Sequence, residues 1–151
     1  MAAKTVPVMG EIVPPIVDGG MLHVAKVTLG SPGSTGYDVD LSGATTVQPS
    51  IFSVKAGTMV YDLLAKVNVA FTAGAGLIVG DSNTQDGFMT NAELACTVIS
   101  SEFRSSKSSS ALTNVYQNGK LYAADQDITV ELTGATTVGQ IDFYLVYARL
   151  G

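Results

Sequence analysis

Residues 59–71, MVYDLLAKVNVAF, decide the fold. Every odd position of this stretch is apolar, whereas the even positions include Asp62, Lys66 and Asn68. Successive side chains of a β-strand point to opposite faces of its sheet, so this alternation predicts one long strand with a buried face and an outer face. The residues predicted to face inward are Met59, Tyr61, Leu63, Ala65, Val67, Val69 and Phe71.

Two predicted hairpins extend this strand into sheets. After the turn TAGAG, residues 77–79 are expected to return as the partner strand of residues 59–71. Nearer the C-terminus, residues 128–132 and 141–147 alternate in the same way and are separated by a segment that contains GATTVG. We expect these two strands to form a second hairpin. Its last strand is apolar on both faces, which favours a strand that is covered on both sides.

The rest of the sequence supplies short strands and turns. Residues 100–110, SSEFRSSKSSS, are polar and of low complexity, and we interpret them as a loop that is mobile or contacts a partner. About eight short strands separated by turns are typical of an all-β fold, either a β-sandwich or a jelly roll. The shorter candidate strands are residues 22–29, 37–41, 51–55, 95–99 and 121–123.

The first 20 residues differ in composition from the rest of the chain. Pro7, Pro14 and Pro15 fix φ and remove backbone donors, which prevents a helix and disfavours a central strand. Because the segment is nevertheless rich in apolar residues, we expect residues 1–20 to form an extended arm before a single β-sandwich domain of residues 21–151. The arm either packs on its own domain or reaches a neighbouring subunit. Its expected partner-contact residues are Val6, Pro7, Val8, Met9, Ile12, Val13, Pro14, Pro15, Ile16 and Val17.

Composition and charge narrow the range of partners. The net charge is −5, so the protein is repelled by phosphate groups and a nucleic-acid partner is disfavoured. Prolines and a glycine interrupt the stretch after Met1, so no signal peptide is expected, and no apolar run approaches the roughly 20 residues of a membrane span. The single cysteine, Cys96, cannot form an intramolecular disulfide and is interpreted as a small core residue.

The sequence lacks the residue sets that catalysis and metal binding require. His23 is the only histidine, and neither a second histidine nor a partner cysteine is present to complete a metal site. The acidic pairs Asp38/Asp40 and Asp125/Asp127 are interpreted as acceptors for backbone amides in turns. We therefore expect no catalytic residue, no metal site, no cofactor and no enzymatic activity.

One loop leaves an alternative open. In residues 80–87, GDSNTQDG, the side chains of Asp81, Asn83 and Asp86 could offer oxygen ligands to Ca²⁺. The spacing departs from that of a calcium-binding loop, and Ala92 stands at the twelfth position, where a bidentate glutamate belongs. The other interpretation, which we favour, is a loop stabilised by Asx turns.

Two blocks of the sequence carry a resemblance to a known group of proteins. One block is VNVAFTAGAGLIVGD, residues 67–81, which continues to Asp86-Gly87-Phe88, and the other is AADQDITVELTGATTVGQIDFYLVY, residues 123–147. A strand, a Gly-Asp loop and a closing hairpin with an aromatic last strand resemble small β-rich structural proteins of tailed bacteriophages, in particular capsid decoration (cement) proteins. The resemblance implies a jelly roll or β-sandwich that trimerises on the outside of an icosahedral head and has no catalytic residues.

The expected function is therefore that of a non-enzymatic virion structural protein. As a capsid decoration protein it would bind the outer surface of a phage head and stabilise the head by clamping neighbouring capsid subunits. Its expected partners are the major capsid protein and further copies of itself in a trimer, with no nucleic acid and no membrane. It would be made in the host cytoplasm and located on the capsid surface. The alternative is a carbohydrate-binding module or a fibre or appendage domain of a phage particle, although the absence of Trp disfavours a sugar platform.

Overall fold

The computed structural model describes residues 21–31, 35–42, 44, 48–72, 74–91, 93–107, 115–134 and 136–150. The strands in these residues form two sheets, which confirms the prediction of an all-β fold with the layers of a β-sandwich. The predicted arm and all ten of its expected contact residues lie outside the described residues. The elements, in chain order, are β1 (His23–Gly30), β2 (Val39–Asp40), β3 (Ser50–Val54), β4 (Thr58–Val69), β5 (Gly76–Asp81), β6 (Glu102–Arg104), a 3₁₀ turn (Ser105–Lys107), β7 (Lys120–Tyr122), β8 (Gln126–Thr133) and β9 (Gln140–Arg149).

The larger sheet is built around the two longest strands. Its order is β2-β1-β9-β4-β6, and β7 also pairs with β4, on the edge that β6 occupies further along. β9 is central and pairs antiparallel with both β1 and β4. The smaller sheet has the order β3-β8-β5 and is antiparallel throughout.

The inner faces of the two sheets share one hydrophobic core. In β8, Ile128, Val130 and Leu132 point inward and alternate with polar residues, as the sequence predicts for a strand with one buried face. The central strand β9 contributes Ile141, Phe143, Leu145 and Tyr147 to the same core. Cys96 is buried in it as expected, and burial raises the pKa of its thiol to about 11.

Both predicted hairpins are wrong in their pairing. β5 pairs with β8 and not with β4, and β9 pairs with β1 and β4 and not with β8. In each case the connecting segment, residues 70–75 or 134–139, crosses from one sheet to the other. Six residues reach about 20 Å, which is enough for the roughly 10 Å between stacked sheets. Alternation identifies the buried face of a strand but does not identify its partner.

Two register shifts in β4 change the predicted buried face of this strand. The first lies between Val60 and Asp62 and the second between Val67 and Val69. Because the side-chain period is two, each extra residue exchanges the inner and outer faces beyond it. Val60 is therefore buried, while Tyr61 and Val69, both predicted to face inward, are exposed. The residues of the predicted inner face that are buried are Leu63, Ala65, Val67 and Phe71.

The segment after β5 also departs from the predictions. Residues 95–99, predicted as a strand, form turns, and the stretch 100–110, predicted as a loop, contains β6 and the 3₁₀ turn. Ser100 adopts a positive φ of 66° and donates its amide to the carbonyl oxygen of Val67 at 2.8 Å, so the turn is fastened to β4. No helix in the described part of the chain is long and apolar enough to cross a membrane.

Candidate functional site

The outer face of the larger sheet carries apolar side chains where a face in water would carry polar ones. Val24 of β1 lies opposite Val146 of β9, and Met59 of β4 lies opposite Leu121 of β7. Leu121 is 55% exposed and Val24 is 63% exposed. We call this surface the apolar patch, and its residues are Leu22, Val24, Met59, Tyr61, Leu121 and Val146.

The apolar patch occupies one end of the sheet, where β1 begins and β9 ends. Its six residues are uncharged, and those of β1, β9, β4 and β7 lie on neighbouring strands, which makes the patch continuous. Scattered apolar residues on a surface are ordinary, but a contiguous group marks a contact with another surface. The patch is therefore the described surface that is best suited to binding.

A polar row borders the patch further along the same face. The Thr28 hydroxyl donates to the Asp142 carboxylate at 2.6 Å, and the Lys26 ammonium lies 3.6 Å from the same carboxylate. Burial raises the pKa of Asp142, but hydrogen bonds from Thr28 and Asn68 and the charge of Lys26 outweigh it, so this pKa lies below its ordinary value. The polar groups of this row are paired with one another, and the row marks the boundary of the apolar patch on that side.

A buried carboxylate, Asp62, holds the edge of the larger sheet next to the patch through several hydrogen bonds. We call Asp62 and its donors the latch. Asp62 is 4% exposed and accepts hydrogen bonds from Arg104 Nε, from the Ser105 hydroxyl at 2.9 Å, and from the amide and hydroxyl of Ser106 at 3.0 and 2.8 Å. Burial raises the pKa of Asp62, yet these donors lower it by more, so the carboxylate stays charged to a lower pH than an ordinary aspartate does. The latch holds β6 and the 3₁₀ turn against β4.

The two apolar residues Val98 and Ile99 form a second exposed apolar surface, which we call the tip. They are 53% and 62% exposed and lie on the turn that Ser100 fastens to β4 near Val67. Met59 in the patch and Val67 beside the tip are eight residues apart on β4, or about 26 Å at the rise of a strand. The chain thus presents apolar surfaces at the two ends of its longest strand.

The outer face of the smaller sheet has the opposite character. A shallow groove of about 530 Å³ lies there, and its lining contains no aromatic residue. Asp127 accepts hydrogen bonds from Ser50 at 2.6 Å and Ser53 at 3.0 Å, while Asp125 pairs with Lys55 at 3.2 Å. The groove residues are Gln48, Ser50, Ser53, Val54, Lys55, Ser82, Asp125, Gln126, Asp127 and Thr129.

The loop after β5 uses its aspartate internally. Asp81 is fully buried, and its carboxylate accepts the hydroxyl groups of Tyr116 at 3.1 Å and Tyr122 at 2.8 Å and the amides of Asn83 and Thr84 at 3.0 Å each. Burial, followed by the charge of Asp81, raises the pKa of the Tyr122 hydroxyl, so the tyrosine remains a donor. This arrangement matches the interpretation as a loop stabilised by Asx turns.

The other titratable residues singled out in the sequence are dispersed over the fold. The ring of His23 lies 5.4 Å from that of Tyr147, centroid to centroid. Asp38 accepts a backbone amide of β1 at 2.9 Å, and Asp40 accepts the amide two residues further on at 2.8 Å. Within the described ranges, no group of three or more His, Cys, Asp or Glu side chains is placed to hold a metal ion.

The sequence interpretation missed the apolar patch. It assigned Met59 and Tyr61 to the buried face, and it placed Leu121 in a strand without assigning its face. The sequence indicates a second apolar face for the last strand, residues 141–147, and the same signal is present in residues 59–61, MVY, which are apolar at every position but were assigned a single buried face. A strand segment that is apolar at both parities has a second apolar face that must contact something.

Comparison with solved structures places the fold among phage capsid chains. A chain of the "Cyanophage Pam1 capsid asymmetric unit" matches with a TM-score of 0.56 and 13% identity, over 98% of this chain and 99% of that one. The protein has the fold of a phage capsid chain. A chain of the "Acidic stable capsid structure of Helicobacter pylori bacteriophage KHP30" matches with a TM-score of 0.52 and 11% identity, over 87% of this chain and 95% of that one. No family model and no curated protein matches the sequence.

Proposed function

We propose that the protein is a virion structural protein without enzymatic activity, a capsid decoration protein that binds the outer surface of a phage head. It clamps neighbouring subunits of the major capsid protein, and further copies of the chain associate with it as a trimer. It is made in the host cytoplasm and acts on the capsid surface.

The observation that carries this proposal is the whole-length match to a capsid chain. Because the alignment covers 98% of this chain and 99% of the cyanophage chain, the two chains have nearly equal length. The correspondence thus extends over nearly the whole of both chains and is not confined to one domain of the cyanophage chain. A separate small protein in a capsid structure is what a decoration protein would be.

The distribution of surface types supports a clamp. Bridging two subunits requires two attachment points, and the tip at one end of β4 and the proposed arm, which precedes Leu22 at the other end, supply them. The groove of the smaller sheet is polar, with Asp125 and Asp127 exposed, and is suited to solvent. Each contact would remove apolar area from water at about 25 cal/mol per Å², and the symmetry of a capsid multiplies such weak contacts.

The proposed arm is the second of these contacts. Its apolar residues, beginning at Val6, bind by surface burial, and its prolines reduce the conformational entropy lost when the arm docks. The described residues from 21 onward form the proposed sandwich domain that carries the arm. The groove contains no aromatic platform on which a sugar ring could stack, so no described feature favours the carbohydrate-binding alternative.

Co-sedimentation with undecorated phage particles tests the proposal. We expect the full chain to pellet with the particles and the variant Val8→Asp/Met9→Asp to bind at least about tenfold more weakly, because each buried apolar side chain contributes about 1.5–3 kcal/mol. The matched control is Ser82→Lys, at an exposed residue that lines the polar groove, and this variant should bind like the parent. Failure of the full chain to pellet with the particles would refute the decoration role.

A further inference from the structure

We propose that the apolar patch is the docking site of residues 13–17 of the same chain, VPPIV, which precede β1. The inference deepens the proposed function and rests on it in one respect: the half of the segment nearer the N-terminus, residues 6–12, is then the part that remains to bind the capsid. The patch holds the root of the segment against the sheet and directs its free end outward.

The position of the patch in the chain favours this occupant. The described residues begin at Met21 and Leu22, and Leu22 is itself part of the patch, being 59% exposed. Any residues just N-terminal to it are held near the patch by the covalent chain, at an effective concentration that a separate molecule reaches only in the millimolar range. The sequence Asp18-Gly19-Gly20 lies between residues 13–17 and the start of β1. It is a strong turn sequence, which allows the chain to reverse onto the sheet.

The lengths agree. Crossing the patch from β1 over β9 and β4 to β7 takes three strand spacings, or about 14 Å. Five extended residues span about 16 Å, so residues 13–17 cover the distance from the side of Leu22 to Leu121. The seven residues from position 6 to position 12 lie beyond the patch and add roughly 23 Å of reach.

The chemistry of the two surfaces is also complementary. Val13, Pro14, Pro15, Ile16 and Val17 contain no charge, and neither does the patch. Pro14 and Pro15 cannot donate backbone hydrogen bonds, so a segment that lies across a sheet face, and not along its edge, leaves few backbone amides unsatisfied. The nearest charge in the segment is Asp18, at the turn and outside the contact.

Thiol labelling measures whether the patch is covered in the full-length chain. The native Cys96 is buried and its pKa is raised to about 11, so it does not compete for a maleimide reagent. We compare Leu121→Cys in the patch with Val98→Cys at the tip, because the two positions are almost equally exposed in the described surface, at 55% and 53%. Each cysteine substitution is introduced into three backgrounds: the parent chain, the Ile16→Asp variant and the Val8→Asp variant.

We expect Leu121→Cys to react at least about tenfold more slowly than Val98→Cys in the parent, which corresponds to about 1.4 kcal/mol of protection. Ile16→Asp should abolish this difference, whereas Val8→Asp should leave it unchanged. Equal rates at the two positions in the parent would overturn the proposal. Protection that appears only as the protein concentration rises would also overturn it, since a second copy would then be the occupant.

The same variants separate this inference from the proposed function. Val8→Asp should weaken co-sedimentation with particles while the patch stays protected. Loss of protection in the parent together with normal particle binding would refute the docking site alone, and normal protection without particle binding would refute the decoration role alone.

Discussion

The carboxylate of Asp62 fastens the edge of the larger sheet. It is almost fully covered, and it accepts hydrogen bonds from Arg104, Ser105 and Ser106, three consecutive residues that carry the chain from β6 into the 3₁₀ turn. An isolated buried charge would be costly, but four donors satisfy this one. Because the pKa of Asp62 is lowered in the folded protein, its ionisation stabilises the fold above the unfolded pKa near 4 and this stabilisation is lost as the pH falls through the folded pKa.

The variant Asp62→Asn tests the latch. It keeps the shape of the side chain but removes the charge, so we expect the free energy of unfolding at pH 7 to fall by about 1–3 kcal/mol. Between pH 5 and pH 2 the parent should lose more stability than the variant, because the variant has no carboxylate to protonate at this position. Urea unfolding at several pH values measures both effects, and parallel pH profiles would show that Asp62 does not act as described.

The shifted faces of β4 make a second prediction at the residue scale. Val67 is completely buried, whereas Val69, two residues further on, is 37% exposed because a register shift separates them. Val67→Asp buries an unpaired charge and should cost at least about 3 kcal/mol or abolish soluble expression, while Val69→Asp should cost less than about 1 kcal/mol. Urea midpoints of the two variants measure this, and equal losses would mean that β4 keeps one register throughout.

At the scale of elements, the sequence predicted the strands better than their pairing. The alternation in residues 128–132 correctly gives the buried face of β8, because that strand has no register shift against β5. The same rule failed for Tyr61 and Val69, since a β-bulge depends on the neighbouring strand and leaves no period of its own in the sequence. The prediction of the strand partners failed because a connection of six residues can form either a wide hairpin or a crossing between two sheets.

The loop that follows β5 depends on a close backbone approach at Gly80. A Cβ atom at this position would overlap the carbonyl oxygen of Thr84 and the backbone of Gln85, neither of which is the flexible end of a side chain. We expect Gly80→Ala to lower the free energy of unfolding by about 2 kcal/mol or more and to loosen the buried contacts of Asp81. The control is Ser82→Ala in the same loop, which is exposed and should change stability by less than about 0.5 kcal/mol. Thermal melts measure the stability of the two variants, and equal melting temperatures would contradict the close packing at Gly80.

The whole molecule has two unlike outer surfaces. The larger sheet presents the apolar patch and the smaller sheet presents the serine- and aspartate-lined groove. The sequence predicts residues 6–17 as a contact segment, because prolines among apolar residues are visible without a structure. It did not give the extent of the patch, since the register shift in β4 exchanges the face predicted for Tyr61, and the pairing of β4 with β7 brings Leu121 beside Met59.

A cryo-EM reconstruction of phage heads to which the purified protein has been added tests the central claim most directly. The account predicts ordered density for the protein on the outside of the shell, with the groove around Asp127 facing solvent and the end of the molecule that carries residues 1–20 in contact with capsid subunits. Heads without added density, or density in which the groove is buried against the shell, would contradict it.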